Sequence, residues 1–122
     1  YMSLKKKKKI NLFSNIYFSP IYVKTLCYYL FTIIRKKKIG IYNVGSKGCI
    51  SKAEFGLYFA SKMKLNKNLI EVIKFKKGIL CAKRPNYMCM DVSKFERSFS
   101  QKTRNCYKEI NLAVKYKKTK YR

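Results

Sequence analysis

The chain has 122 residues, about the size of one domain, and carries 30 Lys and Arg against five Asp and Glu, a net charge of +25. Because 48% of the residues are apolar and 16% are aromatic, the chain can form a hydrophobic core, which excludes a purely solvated basic tail. The sequence contains no histidine, which excludes Ser-His-Asp and Cys-His catalysis.

The first predicted helix follows an extended segment over residues 10–18. Ser19 as the N-cap and Pro20 as the first helical residue predict where the helix begins. Apolar residues then recur at steps of three and four and predict one buried stripe, formed by Val23, Leu26, Cys27, Leu30, Ile33 and Ile34. The cations Arg35–Lys38 predict the C-terminal end of the helix, where they face its negative pole.

The middle of the chain predicts a strand, a turn and a second helix. Residues 39–44 have the pattern of a short buried strand, and Gly45–Gly48 that of a turn. Ser51 and Glu54 have the spacing of a capping box, which predicts a helix that begins there and runs to about Leu65.

The last third predicts only short elements. Residues 69–75 and 87–90 are strand candidates, and residues 91–99 form a short predicted helix. The final predicted helix spans residues 105–116, with a frayed tail beyond it and four inward residues: Cys106, Ile110, Leu112 and Ala113. The predicted fold class is α/β with only two or three short strands, which is typical of the end of a domain rather than a whole one.

The positive charge predicts incidental binding of polyanions through counterion release. The cations are spread along the chain, apart from runs at Lys5–Lys9 and Lys36–Lys38 and a lysine-rich end from Lys115. A small basic RNA-binding or ribosome-associated protein is therefore an alternative function, in which the interleaved tyrosines would stack on bases.

The five cysteines lie at positions 27, 49, 81, 89 and 106, and no two have a Cys-x-x-Cys spacing. We expect reduced, partly buried thiols in a cytoplasmic protein, and no metal site. No segment reaches the length of apolar residues that a membrane span requires. The chain begins with Tyr1 rather than Met, which suggests a fragment of something longer.

Three segments in order resemble a known family. Ser19–Leu26 reads SPIYVKTL, Gly40–Ser46 reads GIYNVGS and is followed by SKAEF at Ser51–Phe55, and Ala82–Glu96 reads AKRPNYMCMDVSKFE. Together they resemble the C-terminal, substrate-binding portion of the dTDP-4-dehydrorhamnose reductase family, within the extended short-chain dehydrogenases. The Arg-Pro stretch that ends in Asp-x-Ser-Lys is the most specific part of the resemblance.

The resemblance implies a fold and an activity. In that family an N-terminal Rossmann half holds the nicotinamide cofactor, and the C-terminal part closes over the sugar nucleotide. The chain would be this small C-terminal α/β part without the Rossmann half, with a basic segment at residues 1–9, the sugar-nucleotide part at 10–116 and a basic tail at 117–122. The complete enzyme would use NAD(P)H to reduce a dTDP-linked 4-keto deoxyhexose for polysaccharide synthesis. The chain would be inactive alone and would work with a partner chain that carries the Rossmann half.

The resemblance also implies site residues. Arg84 would meet the diphosphate of the nucleotide, a role that suits its planar and always charged guanidinium. Pro85 would set the bend that aims Arg84, and Asp91, Ser93 and Lys94 would contact the ligand. For Asp91 or Ser93 a helix cap is the competing interpretation, and for Lys94 it is a solvated surface position.

The sequence departs from the family where the cofactor and the chemistry are concerned. Gly45-x-x-Gly48 precedes a predicted helix, but the next position of the glycine series is Ser51, so we expect a turn and not a dinucleotide site. The catalytic Tyr-x-x-x-Lys spacing of the family occurs three times, as expected by chance in a chain so rich in both residues: Tyr1 with Lys5, Tyr58 with Lys62, and Tyr116 with Lys120. We therefore expect no catalytic residue and no bound cofactor in this chain.

Overall fold

The computed structural model describes residues 1–76 and 85–120. Within them the helices are α1 (Met2–Lys5), α2 (Val23–Arg35), α3 (Lys52–Lys62), α4 (Ser93–Phe99) and α5 (Cys106–Lys120). The strands are β1 (Ile10–Phe13), β2 (Tyr17–Phe18), β3 (Ile50–Ser51), β4 (Ile70–Ile73) and β5 (Tyr87–Met88), and a 3₁₀ turn spans Lys67–Leu69.

The strands form two small sheets. β1 and β4 pair in parallel, with Ile10 opposite Ile70. The other sheet has the order β3-β2-β5, in which β2 is antiparallel to β3 and parallel to β5. The predicted α/β class is confirmed, and the described residues contain five short strands where the sequence predicted two or three.

α3 begins where its capping box predicts. The Ser51 hydroxyl accepts a hydrogen bond from the Glu54 backbone N–H at 3.1 Å, and the Glu54 carboxylate accepts one from the Ser51 N–H at 2.7 Å. Phe55 and Phe59 of α3 then pack against the first core cluster, whose buried members are Ile50, Cys106, Ile110 and Val114. α3 and α5 thus form one side of the core.

The predicted start of α2 is wrong by three residues. Its N-cap is Tyr22, which makes no side-chain capping bond. Instead, the carboxylate of Glu109 on α5 accepts a hydrogen bond from the Tyr22 backbone N–H at 3.0 Å. A distant acidic side chain therefore satisfies this helix end, and Ser19 is left to make other contacts.

The predicted buried stripe of α2 is wrong for four of its six residues, while Leu26 and Ile33 are half-buried. Thr25 and Tyr29 are the buried residues of the helix, and the Tyr29 ring packs 5.1 Å from that of Phe95 in the second core cluster. Five apolar residues of the opposite side face outward and form what we call the α2 apolar face: Val23, Cys27, Leu30, Phe31 and Ile34. Ile34, for example, is 68% exposed.

The predicted strand at residues 39–44 does not form. Ile39 and Ile41 are 99% and 88% exposed, while Tyr42 and Val44 pack against Tyr29, Phe95 and Phe99. Exposed and half-buried side chains therefore alternate along the segment, but it pairs with none of the strands formed by residues 1–76 and 85–120.

The last part of the chain follows the prediction more closely. β4, β5 and α4 lie inside their predicted ranges. α5 begins near the predicted residue and buries Cys106, Ile110 and Val114, whereas Leu112 and Ala113 are only half-buried. It stays helical through Lys120, so the prediction of a frayed tail from Lys117 is wrong over that range.

Candidate functional site

The three segments that carry the family resemblance meet at Ser19. Its hydroxyl donates to the Gly48 carbonyl at 2.8 Å and accepts from the Met90 backbone N–H at 3.1 Å. Gly45 lies against the same point, since a Cβ there would come within 3.3 Å of the Met90 sulfur and 3.4 Å of the Ser19 Cβ. We call this meeting point the Ser19 junction.

Asp91 and Ser93 are joined by a local bond at the start of α4. The Ser93 backbone N–H donates to Asp91 Oδ1 at 2.9 Å. This bond, with a second one from the Ser93 side chain, lowers the pKa of the exposed Asp91 carboxyl. The Asp91 carbonyl also accepts from the Asn43 side chain at 3.3 Å. Asp91 therefore turns the chain into α4, and its carboxylate faces solvent.

Lys94 stands over an aromatic ring of another motif segment. Its ammonium lies 5.2 Å from the centroid of the Tyr42 ring, within the range of a cation–π contact. Because Asn43 bonds Asp91, two consecutive residues of the Gly40–Ser46 segment hold the Asp-x-Ser-Lys segment in place.

Pro85 is exposed and lies two residues before β5, whereas Arg84 lies outside the described residues. The Tyr17 N–H donates to the Asn86 carbonyl at 2.7 Å, which fixes the segment after Pro85 to β2. Tyr17 and Tyr87 pair across these strands with ring centroids 5.8 Å apart, and Tyr87 is 70% exposed. Sequence reasoning did not select these two rings, because their pairing depends on the parallel register of β2 and β5.

A cavity of about 430 Å³ adjoins the Ser19 junction. Residues 18–23 line one side of it. The other lining residues are Phe55, Glu109, Ile110 and Ala113.

Glu109 is the one charged residue in the lining of this cavity, and it is 2% exposed. One carboxylate oxygen bonds the Tyr22 N–H, and the other lies 3.9 Å from the Arg104 guanidinium without a hydrogen bond. The Arg104 guanidinium in turn donates to the Thr25 hydroxyl at 3.3 Å. This network joins α5 to the start of α2, so Glu109 has a structural role that its sequence position alone did not reveal.

Cys49 and Cys89 form a disulfide next to the Ser19 junction, with Cα atoms 5.5 Å apart. The expectation of reduced thiols is therefore wrong for these two residues, which are distant in sequence and adjacent in the fold. Cys27 is exposed with a free thiol and Cys106 is buried with one, while Cys81 lies outside the described residues.

The turn at Gly45–Gly48 does not fit a dinucleotide. In such a site the pyrophosphate rests on the N-terminus of the helix that follows the glycines. Here the Glu54 carboxylate already bonds the Ser51 N–H at the start of α3, and its negative charge would repel a phosphate. These residues therefore provide no site for the diphosphate of NAD(P).

Tyr58 and Lys62, which match the catalytic spacing of the family, lie on α3 and contact each other. The Lys62 ammonium is 5.2 Å from the centroid of the Tyr58 ring. The Tyr58 hydroxyl donates to the Asn111 side chain at 3.1 Å. These contacts bring α3 and α5 together at the surface.

Among the described residues, no group of three or more His, Cys, Asp or Glu side chains could hold a metal ion. None of the helices formed by those residues is long and apolar enough to cross a membrane.

The two small sheets, the core between α3 and α5 and the convergence of three motif segments form a small α/β domain. The sequence profile of the family described as the RmlD substrate binding domain matches residues 2–118. The chain belongs to the RmlD substrate binding domain family. No curated protein sequence matches it.

Solved enzymes share the fold. The chain is similar to dTDP-4-dehydrorhamnose reductase from Bacillus anthracis in complex with NADP, with 19% identity and a TM-score of 0.82. It is similar to a dTDP-4-dehydrorhamnose reductase from Clostridium acetobutylicum, with 16% identity and a TM-score of 0.84. A dTDP-glucose 4,6-dehydratase from Bacillus anthracis in complex with NAD shares 13% identity, with a TM-score of 0.75.

The similarity covers most of this chain and a minor part of each solved enzyme. The match covers 90% of this chain and 39% of the Bacillus anthracis reductase, and 96% and 42% for the Clostridium acetobutylicum reductase. The match to the dehydratase covers 98% of this chain and 37% of that enzyme. The chain thus spans about two fifths of the length of these relatives.

Proposed function

We propose that the chain supplies part of a sugar-nucleotide site of an NAD(P)-dependent reductase that acts on a dTDP-linked 4-keto deoxyhexose. The observation that carries this proposal is the Ser19 junction. There the Ser19 hydroxyl accepts from the Met90 N–H of the last motif segment, and Gly45 of the middle segment lies in contact with both residues. In this proposal the chain contributes binding residues only, and the catalytic residues belong to the rest of the enzyme. The chain would therefore reduce no substrate alone.

The proposed ligand contacts lie on the segment that enters α4. Arg84 would bind the diphosphate, since a guanidinium donates two parallel hydrogen bonds to phosphate oxygens. Pro85 would direct the chain between Arg84 and β5. Asp91, Ser93 and Lys94 lie on or next to the exposed first turn of α4. Lys94 would add a second cation. Asp91 would accept hydrogen bonds from sugar hydroxyls, and Ser93 would donate to them.

The base of the nucleotide would stack on the aromatic pair of the small sheet. Tyr87 is 70% exposed and follows Arg84 by three positions in the sequence. Tyr17 supports the Tyr87 ring from the neighbouring strand. A planar base gains on the order of 1–3 kcal/mol by stacking on such a ring.

The hydride donor would come from a partner that carries a dinucleotide-binding unit, since more than half of each solved reductase has no counterpart in this chain. We assign the α2 apolar face to contact with that unit. Five apolar side chains on one side of a helix are a costly surface to leave in water, and Phe31 and Ile34 are 65% and 68% exposed. In the solved reductases, the part of the enzyme without a counterpart here could cover such a face.

The test is calorimetric titration of the whole chain with dTDP-glucose, with ATP as the comparison ligand. ATP carries more negative charge than dTDP-glucose, so binding by general charge ranks ATP first. A specific site ranks dTDP-glucose first and keeps its affinity when salt is raised.

Arg84→Ala is expected to weaken dTDP-glucose binding by at least tenfold, because a charge-assisted contact to phosphate is lost. Arg35→Ala is the matched control: it removes the same charge at the end of α2 and should leave the affinity unchanged. Equal losses in both variants, or tighter binding of ATP, would contradict the proposal.

A further inference from the structure

The two lysine-rich ends of the chain meet in space. The ring of Tyr1 lies between them, with the Lys5 ammonium 5.6 Å and the Lys117 ammonium 4.6 Å from its centroid. Tyr1 is also packed edge-to-face on Phe59 of α3 at 6.4 Å. We call this surface the polybasic end, and it comprises Lys5–Lys9 with Lys115, Lys117 and Lys118.

Four of the five carboxylate side chains lie away from this surface. Glu54 and Glu109 sit in the first turns of α3 and α5, and Asp91 and Glu96 belong to the α4 region. Glu71 lies in β4 opposite Asn11, two residues after Lys9. One carboxylate therefore neighbours the eight lysines of the polybasic end, and most of their positive charge is not balanced.

A shallow groove continues from this surface along α5. It encloses about 320 Å³, and it is lined by Arg104, Lys108, Asn111, Leu112 and Lys115. Lys115 lines this groove, and Lys117, two positions further on, projects from the other side of the helix toward Tyr1. The two cationic surfaces therefore adjoin at the C-terminal end of α5. Tyr107, one residue before Lys108, packs edge-to-face on Tyr58 at 4.8 Å and is 43% exposed.

We propose that the polybasic end and the α5 groove together bind a single-stranded nucleic acid, independently of the sugar-nucleotide site. Such binding needs two elements: lysines that contact the phosphates, and exposed aromatic rings on which the bases stack. A membrane surface fits less well, because α1 is only four residues long and offers one exposed apolar side chain, Met2.

The test measures binding of a fluorescent 12-nucleotide oligouridylate by anisotropy over a range of salt concentrations. The site variant carries Lys6→Gln, Lys8→Gln and Lys118→Gln. The matched control carries Lys36→Gln, Lys37→Gln and Lys102→Gln, so both variants lose three positive charges from exposed positions. Circular dichroism checks that each variant is folded.

For the site variant, we expect the slope of log K against log salt to become shallower by about 2, since each phosphate contact of a single strand contributes about 0.7. The control should keep the slope of the unmodified chain. Tyr107→Leu should weaken binding on the order of tenfold without changing the slope, because stacking involves no counterion.

Equal loss in the site and control variants would overturn the proposal, since the net charge alone would then explain binding. The absence of saturable binding to the unmodified chain would overturn it as well. So would tighter binding to vesicles of phosphatidylcholine and phosphatidylserine than to the oligonucleotide, which would assign the surface to a membrane.

Discussion

At the residue scale, Glu96 shows how one carboxylate fixes the chain that leaves α4. Its Oε1 accepts two hydrogen bonds from Thr103, from the backbone N–H at 2.7 Å and from the hydroxyl at 2.8 Å. These bonds lower the pKa of Glu96 below its ordinary value of 4.5. The loop between α4 and α5 thereby closes on the helix before it.

The lowered pKa predicts a contribution to acid stability. Since the folded-state pKa lies below the unfolded one, the stabilisation by Glu96 is complete above about pH 4.5 and is lost as the pH falls through the folded-state value. Thr103→Val removes one of the two donors and should cost about 1–2 kcal/mol at neutral pH. The difference in free energy of unfolding between this variant and the unmodified chain should decrease as the pH falls.

Urea unfolding at several pH values measures this effect. Thr32→Val is the matched control, because the Thr32 hydroxyl bonds a backbone carbonyl within α2 and no carboxylate. A Thr103→Val penalty that is independent of pH, like that of the control, would show that the bond to Glu96 is not ionic.

At the element scale, the segment that enters α4 is held by few contacts. It pairs with β2 over two residues, and its Met90 N–H donates to the Ser19 hydroxyl. Its Asp91 carbonyl accepts one further bond from the Asn43 side chain. The Cys49–Cys89 disulfide is the covalent link between this segment and the chain before β3.

Reduction of this disulfide should therefore loosen residues 85–91 selectively. The bridge closes a loop with a sequence separation of 40 residues, and such a loop corresponds to about 4 kcal/mol of chain entropy. We expect amide hydrogen exchange in the segment to rise at least tenfold in reductant, with exchange in α3 as the internal reference. The Cys49→Ser, Cys89→Ser double variant should behave like the reduced chain. Unchanged exchange after reduction would mean that the hydrogen bonds alone order the segment.

The elements also show which features the sequence could predict. α3 was predictable because its start depends on Ser51 and Glu54, three residues apart. α2 was not, because its N-terminus is satisfied by Glu109 from α5, and because the contact of Tyr29 with Phe95 decides which side is buried. Both contacts join residues far apart in the chain, so no local pattern contains them.

The candidate site also has features that the sequence could predict and features that it could not. The motif residues Pro85, Asp91, Ser93 and Lys94 were selected by resemblance, and their segment contacts Ser19 through Met90. The support from Tyr42 and Asn43, the ring pair of Tyr17 with Tyr87 and the disulfide depend on pairing across the fold. Sequence spacing carries no signal for these.

At the scale of the whole molecule, the α2 apolar face predicts how the chain behaves alone. If the α2 apolar face binds a dinucleotide-binding unit, we expect the isolated chain to be monomeric at micromolar concentration. An apolar dye should then bind to the exposed face. Phe31→Glu should remove most of the dye fluorescence without changing the sedimentation coefficient. A stable dimer that Phe31→Glu dissociates would instead assign the face to a second copy of this chain.

The most direct test of the central claim is residue-resolved NMR of the whole chain titrated with dTDP-glucose. The account predicts saturable shift changes at the amides of Tyr87, Asp91, Ser93 and Lys94, together with Asn43 behind them. The amides around Lys6 and Lys118 should stay unchanged at moderate salt. Shift changes confined to the polybasic end would contradict the sugar-nucleotide site, because they would show that the ligand is held only by general positive charge.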